Sequence, residues 1–149
     1  MRKKVKKMGD AKIFLQQVKL YDTNINSKLE EVARLKDLTL KITTTLKGDT
    51  VSGSRPQDKM GMAVAKIVDL EKEINEDIDC YVLLKRQVSD VVERVKDPDQ
   101  AAVLYKRYFL YEHWEQIAYE MGYTYRHTTR IHGLALQAVE KLLKGESCP

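Results

Sequence analysis

Helix-ending residues are scarce in this chain, and that scarcity constrains its fold more than any other feature. Seven glycines and three prolines are spread over 149 residues. Proline removes a backbone donor, and glycine takes the left-handed conformation that closes helices. A chain short of both runs in long helices unless a β pattern intervenes. Here the apolar residues do not alternate; they recur every three or four positions, the helical period. The expected fold class is all-α: a long antiparallel helical hairpin of coiled-coil type, followed by a small three-helix domain of the helix-turn-helix kind.

The expected organisation follows the few breaks. Residues 1–9 read as a basic, disordered tail. Residues 10–96 read as the antiparallel hairpin, suited to dimerisation or partner docking. Its first helix carries Val18, Tyr21, Ile25, Leu29, Val32, Leu35, Ile42 and Leu46 on one stripe. Gly48 to Ser54 interrupts the pattern. Ser54 with Gln57 has the form of a capping box, and Pro56 suits a first helical turn. The second helix carries Ile67, Leu70, Ile74, Ile78, Tyr81, Leu84, Val88, Val91 and Val95 near heptad a and d positions, with Ile78 one place beyond the strict slot at Asp77. Each helix spans roughly 55 Å at ~1.5 Å per residue. Two apolar seams of that length fit a homodimer in a four-helix arrangement, or a monomeric hairpin with part of its stripe in water.

Asp97-Pro98-Asp99-Gln100 opens a third helix, with Asp97 as cap, Pro98 in the first position and Gln100 as the reciprocal acceptor. Residues 97–144 are expected to form the helix-turn-helix domain, and 145–149 a tail. Ala101, Leu104, Tyr105 and Tyr108 give the third helix its packing stripe. Six of the eight tyrosines and the single tryptophan fall between Tyr105 and Tyr125, a density suited to a small core. Trp114, Ile117, Ala118 and Met121 follow at i, i+3, i+4 and i+7. Gly122 stands where that short helix must end, and Thr124 can cap the next one. Ile131, Ala135, Ala138 and Leu142, with Thr128 one turn earlier, make the inward stripe of the last helix. Gly133 inside it reads as a close packing point against a neighbouring helix.

Two helices joined by a glycine turn are either a plain helical hairpin in a core or a helix-turn-helix. The outward residues favour the second reading. Tyr125, Arg126, Thr129 and Arg130 occupy the exposed side of the first two turns. Arginine pairs bidentately with guanine, and threonine offers a hydroxyl or touches a thymine methyl. These four are the candidate base-reading residues. Lys106, Arg107, Tyr123, Thr124, His127 and His132 are the candidate phosphate contacts. No Asp or Glu occurs from Met121 to Val139, nor from Gln100 to Tyr111, so both stretches suit a negative backbone.

Charge bounds the strength of that interaction. The net charge is +4, of which Arg2, Lys3, Lys4, Lys6 and Lys7 supply five positives, leaving the rest at −1. A strong nucleic-acid binder has a more basic body, so modest intrinsic affinity is expected, with help from dimerisation, the tail or another protein.

Catalytic sets are not apparent. His113, His127 and His132 are not paired with cysteines or carboxylates at metal-binding spacing. Gly48 to Gly53 lacks the lysine of a phosphate loop. Glu71, Glu73, Glu76, Asp77 and Asp79 read as a solvated helix face. No enzyme activity, cofactor or metal is expected. Cys80 and Cys148 form no ligand or disulfide framework, which suits a reducing cytosol. Neither a signal peptide nor a bilayer-spanning run is seen, so no membrane partner is expected.

Leu104 to Leu143, LYKRYFLYEHWEQIAYEMGYTYRHTTRIHGLALQAVEKLL, resembles the fourth conserved region of bacterial sigma factors, which binds the promoter −35 element. The likeness lies in Leu104–Tyr108, the Ile117-Ala118 pair, the Met121-Gly122-Tyr123-Thr124 turn and the Ile131…Ala135-Leu136 run. More closely, the chain resembles the ArpU/RinA-type late transcription regulators encoded by phages of Gram-positive bacteria, in WEQIAYEMGYT, in RIHGLAL and in the Val51 to Met60 stretch. The resemblance implies a phage or prophage transcription regulator acting on double-stranded DNA in the host cytoplasm. It places DNA reading on Tyr125, Arg126, Thr129 and Arg130. The sigma likeness also implies RNA polymerase as a partner, a point the residues themselves leave open. Glu112-His113 departs from the family pattern, which has a serine or threonine cap there, and the last helix is less basic than its sigma counterpart.

Two other classes fit the same pattern. A DNA-packaging subunit of the small-terminase kind also joins a helix-turn-helix to a coiled coil, and forms rings of many copies. A coiled-coil interaction module would use the hairpin to hold another protein and would not bind DNA.

Overall fold

The computed structural model describes the backbone of residues 3–46 and 56–145, with side chains described for 9–45 and 58–145. Five helices follow in order: α1 (Lys3–Leu46), α2 (Pro56–Glu93), α3 (Pro98–Tyr108), α4 (Trp114–Met121) and α5 (Tyr125–Leu143). Among the described residues there is no strand. The Ser54 cap, the interrupting loop, Cys148 and the residues from 146 on lie outside the described residues. α1 already begins at Lys3, where the sequence predicts a disordered tail. Lysine is a good helix former, and only Gly9 opposes a helix in that stretch.

The chain forms two compact units. One takes the described residues up to Tyr21 and from Tyr81 onward; the other is Asp22–Cys80. In the second unit the buried apolar residues are Ile25 and Val32 on α1, and Ala63, Ile67 and Ile74 on α2. Ion pairs join Lys36 to Glu71 at 3.0 Å and Lys66 to Glu31 at 3.6 Å. Lys28 pairs with Asp77 and Lys36 with Glu71, so between these two layers the α1 number rises as its partner's number falls, which is antiparallel pairing. The seam differs from the expected stripe at one layer. Leu29 and Ile78 are exposed, and Lys28 and Asp77 occupy the inner positions instead, 2.6 Å apart. Lys28 is three residues after Ile25 and four before Val32, a seam slot of the heptad; Asp77 is placed the same way after Ile74.

The other unit has a core built from more elements than expected. Ala11, Leu15 and Val18 of α1 and Val88 and Val92 of α2, with Val95 beyond it, are buried in one cluster with Leu104, Tyr108, Ala135, Leu136, Val139 and Leu142. The boundary between units therefore does not fall at Asp97, where the sequence predicts one. The reason is the width of the α5 stripe. Leu136 and Val139 are buried beside the predicted residues, a wider face than α3 and α4 alone cover. A second cluster of Val103, Ile117 and Ile131 closes α3, α4 and α5 on one another, with Trp114 and Met121 against it. Val103 rather than Tyr105 joins Leu104 and Tyr108 on the inward side of α3, and Tyr105 is about half exposed.

Candidate nucleic-acid interface

The turn between α4 and α5 is set by two residues. Gly122 adopts φ 69° and ψ 27°, the left-handed region, and its amide bonds to the Ala118 and Tyr119 carbonyls, closing α4. Thr124 is the N-cap of α5: its Oγ1 accepts from the His127 amide at 3.2 Å. Thr128, fully buried, donates its hydroxyl to the Thr124 carbonyl at 3.0 Å and locks the first turn from inside. α4 is capped by His113 with no side-chain bond, as the missing serine or threonine leads one to expect. Asp97 caps α3, accepting from the Asp99 and Gln100 amides.

This frame presents Tyr125, Arg126 and Arg130 to solvent, with Thr129 partly exposed. Among the described residues neither arginine side chain forms a hydrogen bond or ion pair. Thr129 donates its hydroxyl back to the Arg126 carbonyl at 3.0 Å, leaving the oxygen lone pairs and the methyl for an outside partner. The exposed stripe continues along α5 through Leu134, Gln137 and Lys141.

The candidate phosphate contacts divide. Thr124 and His127 are exposed, beside the arginines. The Tyr123 ring meets His127 edge-on, with centroids 4.8 Å apart. The other four are committed to internal partners. Lys106 pairs with Glu120 and lies 3.8 Å from Glu112. Its bond to Glu120 holds the ammonium above its ordinary pKa and the Glu120 carboxyl below the usual range. Arg107 donates to the Glu112 carbonyl at 2.8 Å and stacks over the Trp114 ring at 4.6 Å. Tyr123 donates its hydroxyl to Asp99 at 2.7 Å, which raises its pKa. His132 is drawn inward, 2.8 Å from the Tyr108 hydroxyl and edge-on to Trp114. Burial, then the charges of Lys12 and Arg107, push His132 down to about 4, so the ring is neutral near pH 7. A neutral, half-buried imidazole offers no positive charge to a phosphate, and one of its ring nitrogens is already engaged by Tyr108. These residues build the α3–α4–α5 core and its rim, and that is a correction to the expected phosphate set.

Gly133 is also corrected. A Cβ built there meets nothing within 4 Å, so it is not a packing point. Tyr119, 83% exposed on the outer side of α4, was not singled out by the sequence; its position off the Ile117-Ala118 stripe is the signal that marks it.

Among the described residues no group of His, Cys, Asp and Glu could hold a metal ion. Among the same residues no helix is long and apolar enough to cross a membrane. A scan of protein-family models and searches of curated proteins and of solved structures each find no match to this chain.

Proposed function

We propose that the chain is a double-stranded DNA-binding transcription regulator that reads a major groove with the first turns of α5. One observation carries this reading. Arg126 and Arg130 project into solvent from a capped helix that follows a glycine turn, and no acidic side chain of α4 or α5 neutralises them. Base edges in a major groove supply the planar acceptors that two guanidinium groups need. The resemblance to the ArpU/RinA-type late regulators of phages points the same way, toward a phage or prophage promoter and RNA polymerase. A homodimer would bring two α5 helices to two half-sites related by two-fold symmetry.

The reading is tested by selection from a random duplex library at a stated salt concentration, wild type beside the Arg126→Ala/Arg130→Ala double variant. A preferred sequence that the double variant no longer selects supports it. No enrichment by wild type, or the same enrichment by both, removes it. Mass in solution separates a dimer from the many-copy ring of a packaging subunit.

A further inference from the structure

Arg126, Arg130, Gly133, Gln137 and Lys141 succeed one another at spacings of four, three, four and four along α5, which puts them on one stripe. Four of the five carry polar or charged side chains and stand exposed. The middle place has no side chain at all. Glycine inside a helix is disfavoured because it gives up the most backbone freedom on folding and packs nothing. Such a residue is tolerated where a neighbour must come close. Here the molecule supplies no such neighbour: an added Cβ would meet no atom within 4 Å, and the backbone is not in the left-handed region that excludes other residues. Gly61 is equally open, but it has no arginine pair on its face.

We propose that Gly133 is a contact notch for the duplex. One phosphodiester strand crosses α5 against the bare backbone there, and the Gln137 amide and Lys141 ammonium on the next turns hold it. The inference rests on the DNA-binding reading and extends it to a part of the helix that no base-reading residue occupies. The dimensions fit. Seven residues of helix separate Arg126 from Gly133, about 10 Å at ~1.5 Å per residue, and the major groove is about 12 Å wide. A helix that seats its first turns at the groove floor reaches the bordering strand within that distance. Lys141 makes no ion pair among the described residues. Asp97 lines a shallow groove with Gln100, Leu134, Gln137 and Lys141, while Glu140, also on α5, pairs with Lys144 at 3.4 Å; the Asp97 carboxylate faces elsewhere. It is turned to the first amides of α3, where it accepts two hydrogen bonds.

The test uses the full chain and a labelled duplex carrying the selected site, or a random-sequence duplex if none is selected. Binding is followed by anisotropy over a series of salt concentrations, and melting temperature is measured in parallel. Gly133→Ala should melt higher than wild type yet bind at least tenfold more weakly. Lys141→Ala should weaken binding and flatten the salt dependence by about one phosphate's share, roughly 0.9 in the logarithmic slope. Gly133→Ala binding as tightly as wild type overturns the notch alone, because the Arg126 and Arg130 variants still report on the groove. A wild-type chain that binds no duplex at low salt overturns both.

Discussion

Lys28 Nζ lies 2.6 Å from Asp77 Oδ2, and each of these two residues occupies the seam position of its own helix. Glu73 adds a second carboxylate at 3.2 Å, and Asn24 donates to Asp77 at 3.4 Å. A charged pair at a seam layer contributes less cohesion than leucines would, but it matches only one alignment of the two helices. Changing Lys28 to Leu strands a carboxylate at the seam, and changing Asp77 to Leu strands an ammonium. Each single variant should melt below wild type. The double leucine variant should recover the loss or exceed wild type. Additive losses in a thermal double-mutant cycle would show that the pair is not coupled. The bonds to Asp77 and Glu73 raise the Lys28 pKa above its ordinary 10.5. Their stabilisation is therefore complete below that pH and is lost as pH rises through the raised value.

His132 carries a second pH dependence, of opposite direction. Its folded pKa of about 4 lies below the ordinary 6.5. The folded state holds the neutral ring, so its contribution is complete above about pH 6.5 and disappears as pH falls through about 4. The size is about 2–3 kcal/mol, allowing for partial exposure of the ring. Urea midpoints measured at pH 7 and pH 4 should fall less steeply for His132→Asn than for wild type. A ring resonance that vanishes in that variant should titrate near pH 4; a midpoint above pH 6 would remove the assignment.

Arg126 and Arg130 should behave as base readers. Alanine at either costs about 1–3 kcal/mol of binding and relaxes sequence preference at one position of the site. Melting temperature should hardly move, since both side chains are exposed and neither makes a hydrogen bond or ion pair within the described residues. An equal loss on every sequence would demote both to phosphate contacts.

Lys106 should behave differently. Its ammonium joins α3 to Glu120 of α4 and to Glu112 before it. Lys106→Met should lower the melting temperature and leave the salt dependence of DNA binding unchanged. Glu120→Gln should lower it too. A flatter salt slope with unchanged melting would return Lys106 to the phosphate set.

What the sequence made legible was periodic, and what it hid was relational. Gly122, Thr124 and the Ile117–Ile131 stripes were readable because caps and helical spacing are local. Arg126 and Arg130 were readable because they sit opposite a clear apolar stripe. Lys106, Arg107 and His132 were misplaced because their partners Glu120, Trp114 and Tyr108 stand on other helices or across a turn. Charge and ring type cannot show that a cation is already engaged. The shift from Leu29 and Ile78 to Lys28 and Asp77 has the same origin: an apolar residue next to a seam slot outscores a charged one in it, until the facing helix supplies the opposite charge. The sharing of one core by α1, α2, α3 and α5 was hidden too, since stripe width tells how much must be covered but not by what.

The turn that aims α5 rests on Gly122, and the two glycines of this region should respond in opposite senses. At φ 69° a Cβ is strained whatever the space around it, and nothing lies within 4 Å to blame instead. Gly122→Ala should lose about 1–2 kcal/mol of stability, and Gly122→Asn less, because asparagine tolerates the left-handed region. Gly133→Ala should gain up to about 1 kcal/mol, the ordinary helix preference for alanine. Denaturant unfolding of the three variants measures both differences. If Gly122→Ala is as stable as wild type, the chain closes α4 without the left-handed residue, and the path that carries Arg126 and Arg130 to the surface is not the one described.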